Sequence, residues 1–429
     1  MPILQDEIWR KTQKLLAAGR MRSTLFGYIS ICKIKNSLED FVRLCYNIIK
    51  KIWGKGENMR FLHTADLHLD SAFCKLGALD SDAQRKRQRE LLQRIFNIAK
   101  NENCDMILIA GDLFDTPAAT PESAALSLRL FDQWKKPIFI SPGNHDALVA
   151  GGFYKTAALP ENVYLFTSEE LQYFDVPELD VTVAGYAFVA QSLPRSPLAG
   201  EARLREESLK TLLLCAHTEI DTPTSRYAPI TTAEITRHGF DYAALGHVHN
   251  PPTISDRIRY CGFPEGRAFD EQGDGGVFIV DVDDYGNVEV TRKITSAQKF
   301  VRANISLEPS FDISEIKNTV LREVRKHSLD THLRIYLEGI ISSDMRIDTE
   351  SLADEFAASL ASLEIINDTA ALPDAAALQK DPTLRGEFYR TLLPSLLSDD
   401  EQTRGKALLA LRIGLAAIDG RSFSEGGAI

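Results

Sequence analysis

The chain has 429 residues, of which 44% are hydrophobic and 25% charged, and a net charge of −11. That length supports one large core or two to three domains, and the ordinary composition excludes a low-complexity or fibrous chain. No apolar run approaches the roughly 18 residues of a membrane span, and the acidic balance excludes a surface that holds nucleic acid by net charge alone.

Residues 1–58 differ from the rest of the chain, with 11 Lys and Arg against 5 Asp and Glu. Ser37 and Asp40 suit the start of a helix carrying Phe41, Leu44, Ile48 and Ile52, with Gly54 and Gly56 as stops. Two readings of this segment stand open. It is a genuine basic helical extension, or translation starts at Met59, because the codons of Gly56-Glu57 can spell a ribosome-binding-like GGAG just upstream. Met1-Pro2-Ile3-Leu4 leads straight into Gln5-Asp6-Glu7, without a signal-peptide pattern. The cysteines (Cys32, Cys45, Cys74, Cys104, Cys215 and Cys261) form no CxxC, which predicts buried reduced thiols in a cytoplasmic protein.

From 59 to 297 short apolar runs alternate with loops. Strands are expected at 61–62, 106–110, 138–140, 181–184, 212–216 and 242–245, and a helix over 82–100. That alternation predicts an α/β core. Residues 277–294, VFIVDVDDYGNVEVTRKI, read as a hairpin around Asp284-Tyr285-Gly286-Asn287. The pattern changes over residues 298–372, where strand 299–308, helix 312–327, strand 331–341, helix 348–363 and a short strand 364–368 suit a small separate βαβαβ domain. Residues 372–381 read as a linker. Within 373–429, Leu384, Phe388 and Leu392 share a helical face before Pro394. Ser398-Asp399-Asp400-Glu401 reads as a capping box opening a second helix, with Leu408, Leu411, Leu415 and Ile418 on one stripe and Gly420 as its stop. Such helices either pack on the body or grip a partner's helices.

The chemistry sits where the apolar runs end. Asp66 and His68 follow the first; Gly111, Asp112 and Asp115 follow the second; Gly143, Asn144, His145 and Asp146 follow the third. His217 ends the run at 212–216, and Gly246-His247-Val248-His249 ends that at 242–245. Sites in open α/β sheets form outside the carboxyl ends of strands, and five of the nine histidines fall there. Carboxylate, imidazole and amide oxygen without thiolate suit Mn²⁺, Fe²⁺ or Zn²⁺. The groups are too many for one ion, which favours a pair sharing a carboxylate; paired ions clamp a phosphate, activate water and steady the leaving oxygen. A single-metal amidohydrolase-like site is the rival, but it does not readily explain Gly-Asn-His-Asp or a histidine pair placed last. Asp146 reads as the cap of a following helix. Arg267, in GFPEGRAFDE, reads either as a surface salt bridge or as a phosphate contact, and His63, His238, His327 and His332 as structural or solvated.

Taken together and in order, Asp66-x-His68, Gly111-Asp112-x-x-Asp115, Gly143-Asn144-His145-Asp146, His217 and Gly246-His247-x-His249 resemble the calcineurin-like metallophosphoesterase signature. The flanking HTADLHLDS and AGDLFDT resemble its DNA-repair exonuclease branch, the SbcCD nuclease subunit and YhaO-like proteins. The resemblance covers roughly 59–420. It implies an α/β fold: a metallophosphoesterase β-sandwich flanked by helices over 59–297, a small α/β capping domain over 298–372, and a C-terminal helix pair for ATPase docking within 373–429. It implies that Asp66, His68 and His249 hold one ion, that Asn144, His217 and His247 hold the other, and that Asp112 bridges them. His145 would act as general acid or orient the scissile phosphate, and Asp115 would support from behind the ligands. The activity implied is a Mn²⁺-dependent DNA exonuclease, acting with an SMC-like coiled-coil ATPase of the SbcC type and open to homodimerisation. The chain has no GxxxxGK[ST], so ATP chemistry falls to that partner. A small-molecule phosphodiesterase or phosphatase built on the same core is the alternative.

Overall fold

The structure is a computed structural model that describes residues 59–73, 81–201, 211–283, 286–308, 310–342, 345–371 and 375–418. The basic segment 1–58 with its expected helix, Cys32, Cys45, Cys74, the hairpin tip Asp284-Tyr285 and the Gly420 stop lie outside the described residues.

The chain begins with two parallel crossovers: β1 (Met59–Thr64), α1 (Ser81–Asn101), β2 (Met106–Ile109), α2 (Pro121–Trp134) and β3 (Ile138–Ile140). α1 forms because Gln84, Gln88, Leu91, Leu92, Ile95 and Ala99 recur at helical spacing and are buried together. A short α3 (Phe153–Thr156) leads to β4 (Val163–Leu165), parallel to β3. β5 (Gln172–Val176), β6 (Val181–Gly185), β7 (Thr211–His217), α4 (Thr232–His238), β8 (Tyr242–Gly246) and β9 (Ile258–Tyr260) come next. β10 (Gly276–Val282) and β11 (Val288–Ile294) then return to the edge of the first sheet, as the hairpin pattern predicts. The first sheet runs β11-β10-β1-β2-β3-β4 and the second β5-β6-β7-β8-β9.

The two sheets face each other. Phe61 of β1 meets Tyr242 of β8 edge-on at 5.6 Å, and Phe139 of β3 lies 6.4 Å from Phe174 of β5. On the outer face of the first sheet, Leu62, Ile107, Ile109, Ile138 and Ile140 pack into one cluster with α1 and α2. Both faces are covered, so these strands read as continuous apolar runs and not as alternating ones. β6, β7, β8 and β9 are parallel, and so are β1, β2, β3 and β4, which brings the carboxyl ends of β1, β2, β3, β7 and β8 to the functional edge.

The third sheet is the expected βαβαβ unit: β12 (Lys299–Leu307), α5 (Ile313–Val324), β13 (Thr331–Ile341), α6 (Thr349–Phe356) and β14 (Ser362–Asn367), all strands parallel, with β15 (Ala370–Ala371) beside β13. Its own core holds Ile305, Ile316, Val320, Leu333, Ile335 and Leu337. The expected helix 348–363 is shorter: a single 3-10 turn at Ala357–Ser359 ends it. Leu363 and Ile365 then reach the core at the two-residue spacing of a strand. Phe300 joins this unit to the sandwich, lying between Phe269 at 5.2 Å and His332 at 4.5 Å.

The C-terminal region departs from expectation in three places. The linker contains α7 (Ala375–Lys380), because Leu378 packs with Tyr389, Leu411 and Leu415. α8 (Leu384–Leu396) continues through Pro394, and Leu384 is exposed while Phe388 and Leu392 pack on the cluster. α9 (Glu401–Ile418) is capped by Asp400, whose Oδ2 accepts from Thr403 N at 2.9 Å; Ser398 Oγ accepts from Asp400 N instead. Asp400 sits directly before the first helical residue, so its carboxylate has the shorter reach to the open amides. Among the described residues, no helix is long and apolar enough to cross a membrane.

Candidate metal centre

Each strand delivers its polar residues through a sharp turn. Asp66, His68, Asp112 and His247 all hold positive φ (53°, 47°, 50° and 108°), a costly conformation for residues with a Cβ that clusters at functional sites. Backbone bonds lock the first two turns together: Asp66 N donates to Gly111 O at 3.1 Å and His68 N to Asp112 O at 2.9 Å. Gly143 is required by proximity, since a Cβ there would overlap Asp112 Oδ1, and Gly111, at φ 91°, would drive one into the His217 ring.

Asp112 stands at the middle of the constellation. Its Oδ1 accepts from His145 N at 3.0 Å, while Oδ2 lies 3.3 Å from His217 Nε2 and 3.6 Å from His68 Nε2. One carboxylate therefore touches two groups. On one side Asp66 Oδ1 lies 3.8 Å from His249 Nε2, which is 3.3 Å from His68 Nε2. On the other, His217 Nε2 lies 3.0 Å from Asn144 Oδ1 and 3.3 Å from His247 Nδ1. Asp66 accepts His247 N on both oxygens, at 3.1 and 3.0 Å, tying the two sides at the back.

The ring tautomers test whether these residues fit metal ions. His217 Nδ1 is 3.0 Å from Ala110 O and carries a proton there, so in the neutral ring, the form that ligates metal, the Nε2 lone pair aims at Asn144 Oδ1 and Asp112. His68 Nδ1 meets Asp115 Oδ1 at 3.0 Å and His249 Nδ1 meets Glu271 Oε1 at 2.8 Å, so their two Nε2 lone pairs face each other. Acceptors converging on acceptors are unfavourable until a cation lies among them, and each ring's far nitrogen is already held as metal-ligating histidines are held. The surroundings demand positive charge in another way as well. Burial opposes a charged His217, yet the Asp112 and Asp66 carboxylates raise its pKa to about 9. Asp112 itself is held well below the usual carboxylate range: burial opposes ionisation, and His217 overrides it. Burial and the adjacent His217 ring push His247 down to about 3. Three donor groups of the metal-holding kind overlap here, Asp66/His68/His249, His68/Asp112/His145 and Asp66/Asp112/His217. The residues present fit a pair of divalent ions.

All nine residues singled out from the sequence meet at this edge. His145 is the outermost, its side chain 45% exposed, with Nδ1 3.1 Å from the carbonyl oxygen of Asp115. Asp115 backs His68, and hydrogen bonding to that ring lowers its pKa against the opposing effect of burial. Two expectations are corrected. Asp146 caps no helix. It is buried and accepts from Leu113 N and Gly143 N at 2.8 Å, from Phe114 N at 3.3 Å and from the Tyr154 hydroxyl at 2.8 Å, stapling two site loops together. Arg267 is neither a surface salt bridge nor free for a phosphate, because its guanidinium is committed to Glu271 and lies 3.5 Å from Asp115 Oδ1. Glu271 escaped the sequence reading. It lies on a loop with no apolar run before it; the only signal was an acidic residue close behind Arg267 in GFPEGRAFDE.

Residues 59–251 match the family model described as calcineurin-like phosphoesterase. The chain is 26% identical over 322 residues to an uncharacterized metallophosphoesterase, YhaO, of Bacillus subtilis (strain 168), covering 70% of this chain and 76% of that relative. It is 27% identical over 255 residues to the SbcD component of nuclease SbcCD from the same strain, covering 50% of this chain and 64% of the relative. The SbcD component of Staphylococcus epidermidis (strain ATCC 12228 / FDA PCI 1200) is 26% identical over 232 residues, covering 48% and 60%. The chain thus spans somewhat less than two thirds of either SbcD relative.

Proposed function

Because residues 59–251 belong to the calcineurin-like phosphoesterase family, whose members are metal-dependent phosphoester hydrolases, we propose that this chain is a DNA exonuclease subunit that uses two Mn²⁺ ions and works in DNA repair with an SMC-like coiled-coil ATPase. In this reading Asp66, His68 and His249 hold one ion, Asn144, His217 and His247 the other, and Asp112 both. When bound, such a pair draws charge from a phosphodiester and activates water for in-line attack.

The chain's own residues divide the remaining work. The His145 amide steadies Asp112 while its ring, propped on the Asp115 carbonyl, stands at the mouth of the site. That ring holds a proton for the leaving oxygen. As the water oxygen bonds to phosphorus and releases a proton to solvent, the old P–O bond breaks and the departing oxygen takes the His145 proton, a transfer worth about 10²–10⁴-fold in rate. Asp115 and Glu271 fix the rings of His68 and His249. The observation that carries the hydrolytic reading is the single Asp112 carboxylate set between two converging donor groups.

The nuclease reading is supported by the two SbcD relatives and by the βαβαβ unit and terminal helices, which a small substrate does not require. α9 exposes Leu409 and Ile413 beside the cluster it shares with α8, an apolar surface suited to a partner's coiled coil. An acidic chain gains its DNA grip from such a partner. Buried, unpaired Cys104, Cys215 and Cys261 suit a cytosolic setting. The test is incubation with Mn²⁺ and either labelled duplex DNA or bis-p-nitrophenyl phosphate, with and without the ATPase. Cleavage of DNA is expected. Cleavage of the small diester but never of DNA, even with the ATPase present, would make the chain a small-molecule phosphodiesterase.

A further inference from the structure

One guanidinium joins the two carboxylates that hold histidine rings at the front of the site. Asp115 holds His68 and Glu271 holds His249, at 3.0 and 2.8 Å. Arg267 grips Glu271 three ways, through its backbone N at 2.8 Å, through Nε at 3.1 Å and through Nη2. Its Nη1 reaches Asp115 Oδ1 at 3.5 Å and Ser71 Oγ at 3.4 Å, and Ser71 Oγ donates to His68 O at 2.8 Å. Nη2 also lies 3.4 Å from His249 Nδ1. Glu271 is buried, so its carboxylate is held by these partners and not by solvent.

The rings on the other side have separate supports. His217 is oriented by the Ala110 carbonyl, and His247 leans on Tyr227 with ring centroids 4.7 Å apart. No hydrogen bond or ion pair among the described residues links Arg267 or Glu271 to either ring.

We infer that Arg267 and Glu271 are positioning residues that set the affinity of the Asp66/His68/His249 metal position independently of the Asn144/His217/His247 position. This rests on the two-metal reading above. An imidazole ligand turns about its side-chain bonds unless its far nitrogen is held, and groups that hold it are worth about 10–100-fold in metal affinity. A planar guanidinium spanning both carboxylates makes His68 and His249 move as one, whereas an ammonium at the same place supplies charge without the fork.

The test titrates the full-length chain, stripped of metal, with Mn²⁺, following binding by calorimetry and by the electron paramagnetic resonance of free Mn²⁺. Wild type is expected to take up two ions. Arg267→Lys, Arg267→Ala and Glu271→Ala are each expected to weaken one ion by about 10–100-fold and leave the other unchanged. Glu271→Gln, which keeps an acceptor for His249, should lose less than Glu271→Ala. The retained ion and an unfolding transition in chelator report that the fold is intact. On bis-p-nitrophenyl phosphate, saturating Mn²⁺ should restore most of the kcat of Arg267→Ala with little change in KM for the diester. Equal weakening of both ions, or of neither, overturns the inference, and so does a kcat that excess Mn²⁺ cannot recover, which would mean that Arg267 touches the substrate. A wild type that binds no ion overturns the two-metal reading and this inference with it; a wild type that binds two ions yet cleaves no DNA bears only on the nuclease reading.

Discussion

At the scale of single residues, Asp146 and Gly143 show how much of the site is scaffolding. The Asp146 carboxylate accepts from three backbone amides and one tyrosine hydroxyl on the loops after β2 and β3 and on α3. Asp146→Ala strands those buried donors, each costing about 1–3 kcal/mol. Denaturant unfolding should therefore show a loss of about 3 kcal/mol or more, and a loss under about 1 kcal/mol would mean that water satisfies the donors. Gly143→Ala tests proximity. Its new methyl would overlap Asp112 Oδ1 and press on the Asp112 backbone N at 2.8 Å, so loss of metal uptake together with a lowered melting temperature is expected. Metal binding as tight as wild type would show that the Asp112 carboxylate has room to shift. The metal-type residues were legible in the sequence because each directly follows an apolar run, and strand ends are where parallel sheets present chemistry. Asp146, Arg267 and Glu271 were not legible in their true roles. What each does depends on a partner some 20 to 150 positions away or on a loop fold that no periodicity announces.

At the scale of elements, the strands were easier to read than the helix ends. β1, β2, β3, β6, β7 and β8 lie where the apolar runs stand, because burial on both faces leaves a continuous apolar mark. The C-terminal helices lack such a mark. Their packing is set by Gly414, where a Cβ would overlap the Phe388 ring, so α8 and α9 approach closely at that point. Gly414→Ala is expected to loosen this pair, raising amide exchange in α7, α8 and α9 while the metal centre keeps its ions. Exchange unchanged across α8 and α9 would show that Phe388 can move aside. Asp400→Ala should fray the first turn of α9, read as faster amide exchange there, and Ser398→Ala much less, which reverses the order expected from the capping-box pattern.

At the scale of the whole molecule, two buried neutral histidines make stability depend on pH. His63 lies between the sheets, its ring nitrogens 3.0 Å from the Tyr242 hydroxyl and 3.1 Å from Leu245 O, and burial pushes its pKa down to about 3. Burial and Arg87 push His332, stacked on Phe300, down to about 4. As pH falls below the ordinary histidine value the unfolded rings take up protons that the folded rings refuse, so stability present near neutrality is lost on acidification. For His63 the full loss, complete only below its folded pKa, is on the order of 5 kcal/mol. Unfolding free energies should thus be lower near pH 5 than near pH 7, and equal values would contradict the neutral, buried state of both rings. The central claim is that Asn144 and His145, adjacent in the chain, have different work: one holds metal, the other holds a proton. The most direct measurement counts Mn²⁺ bound per chain and the turnover of bis-p-nitrophenyl phosphate for Asn144→Ala and His145→Ala side by side. Asn144→Ala is expected to lose one of two ions, and His145→Ala to keep both while losing about 10²–10⁴-fold in turnover. Loss of an ion in His145→Ala, or two tightly held ions in Asn144→Ala, would contradict that division of work.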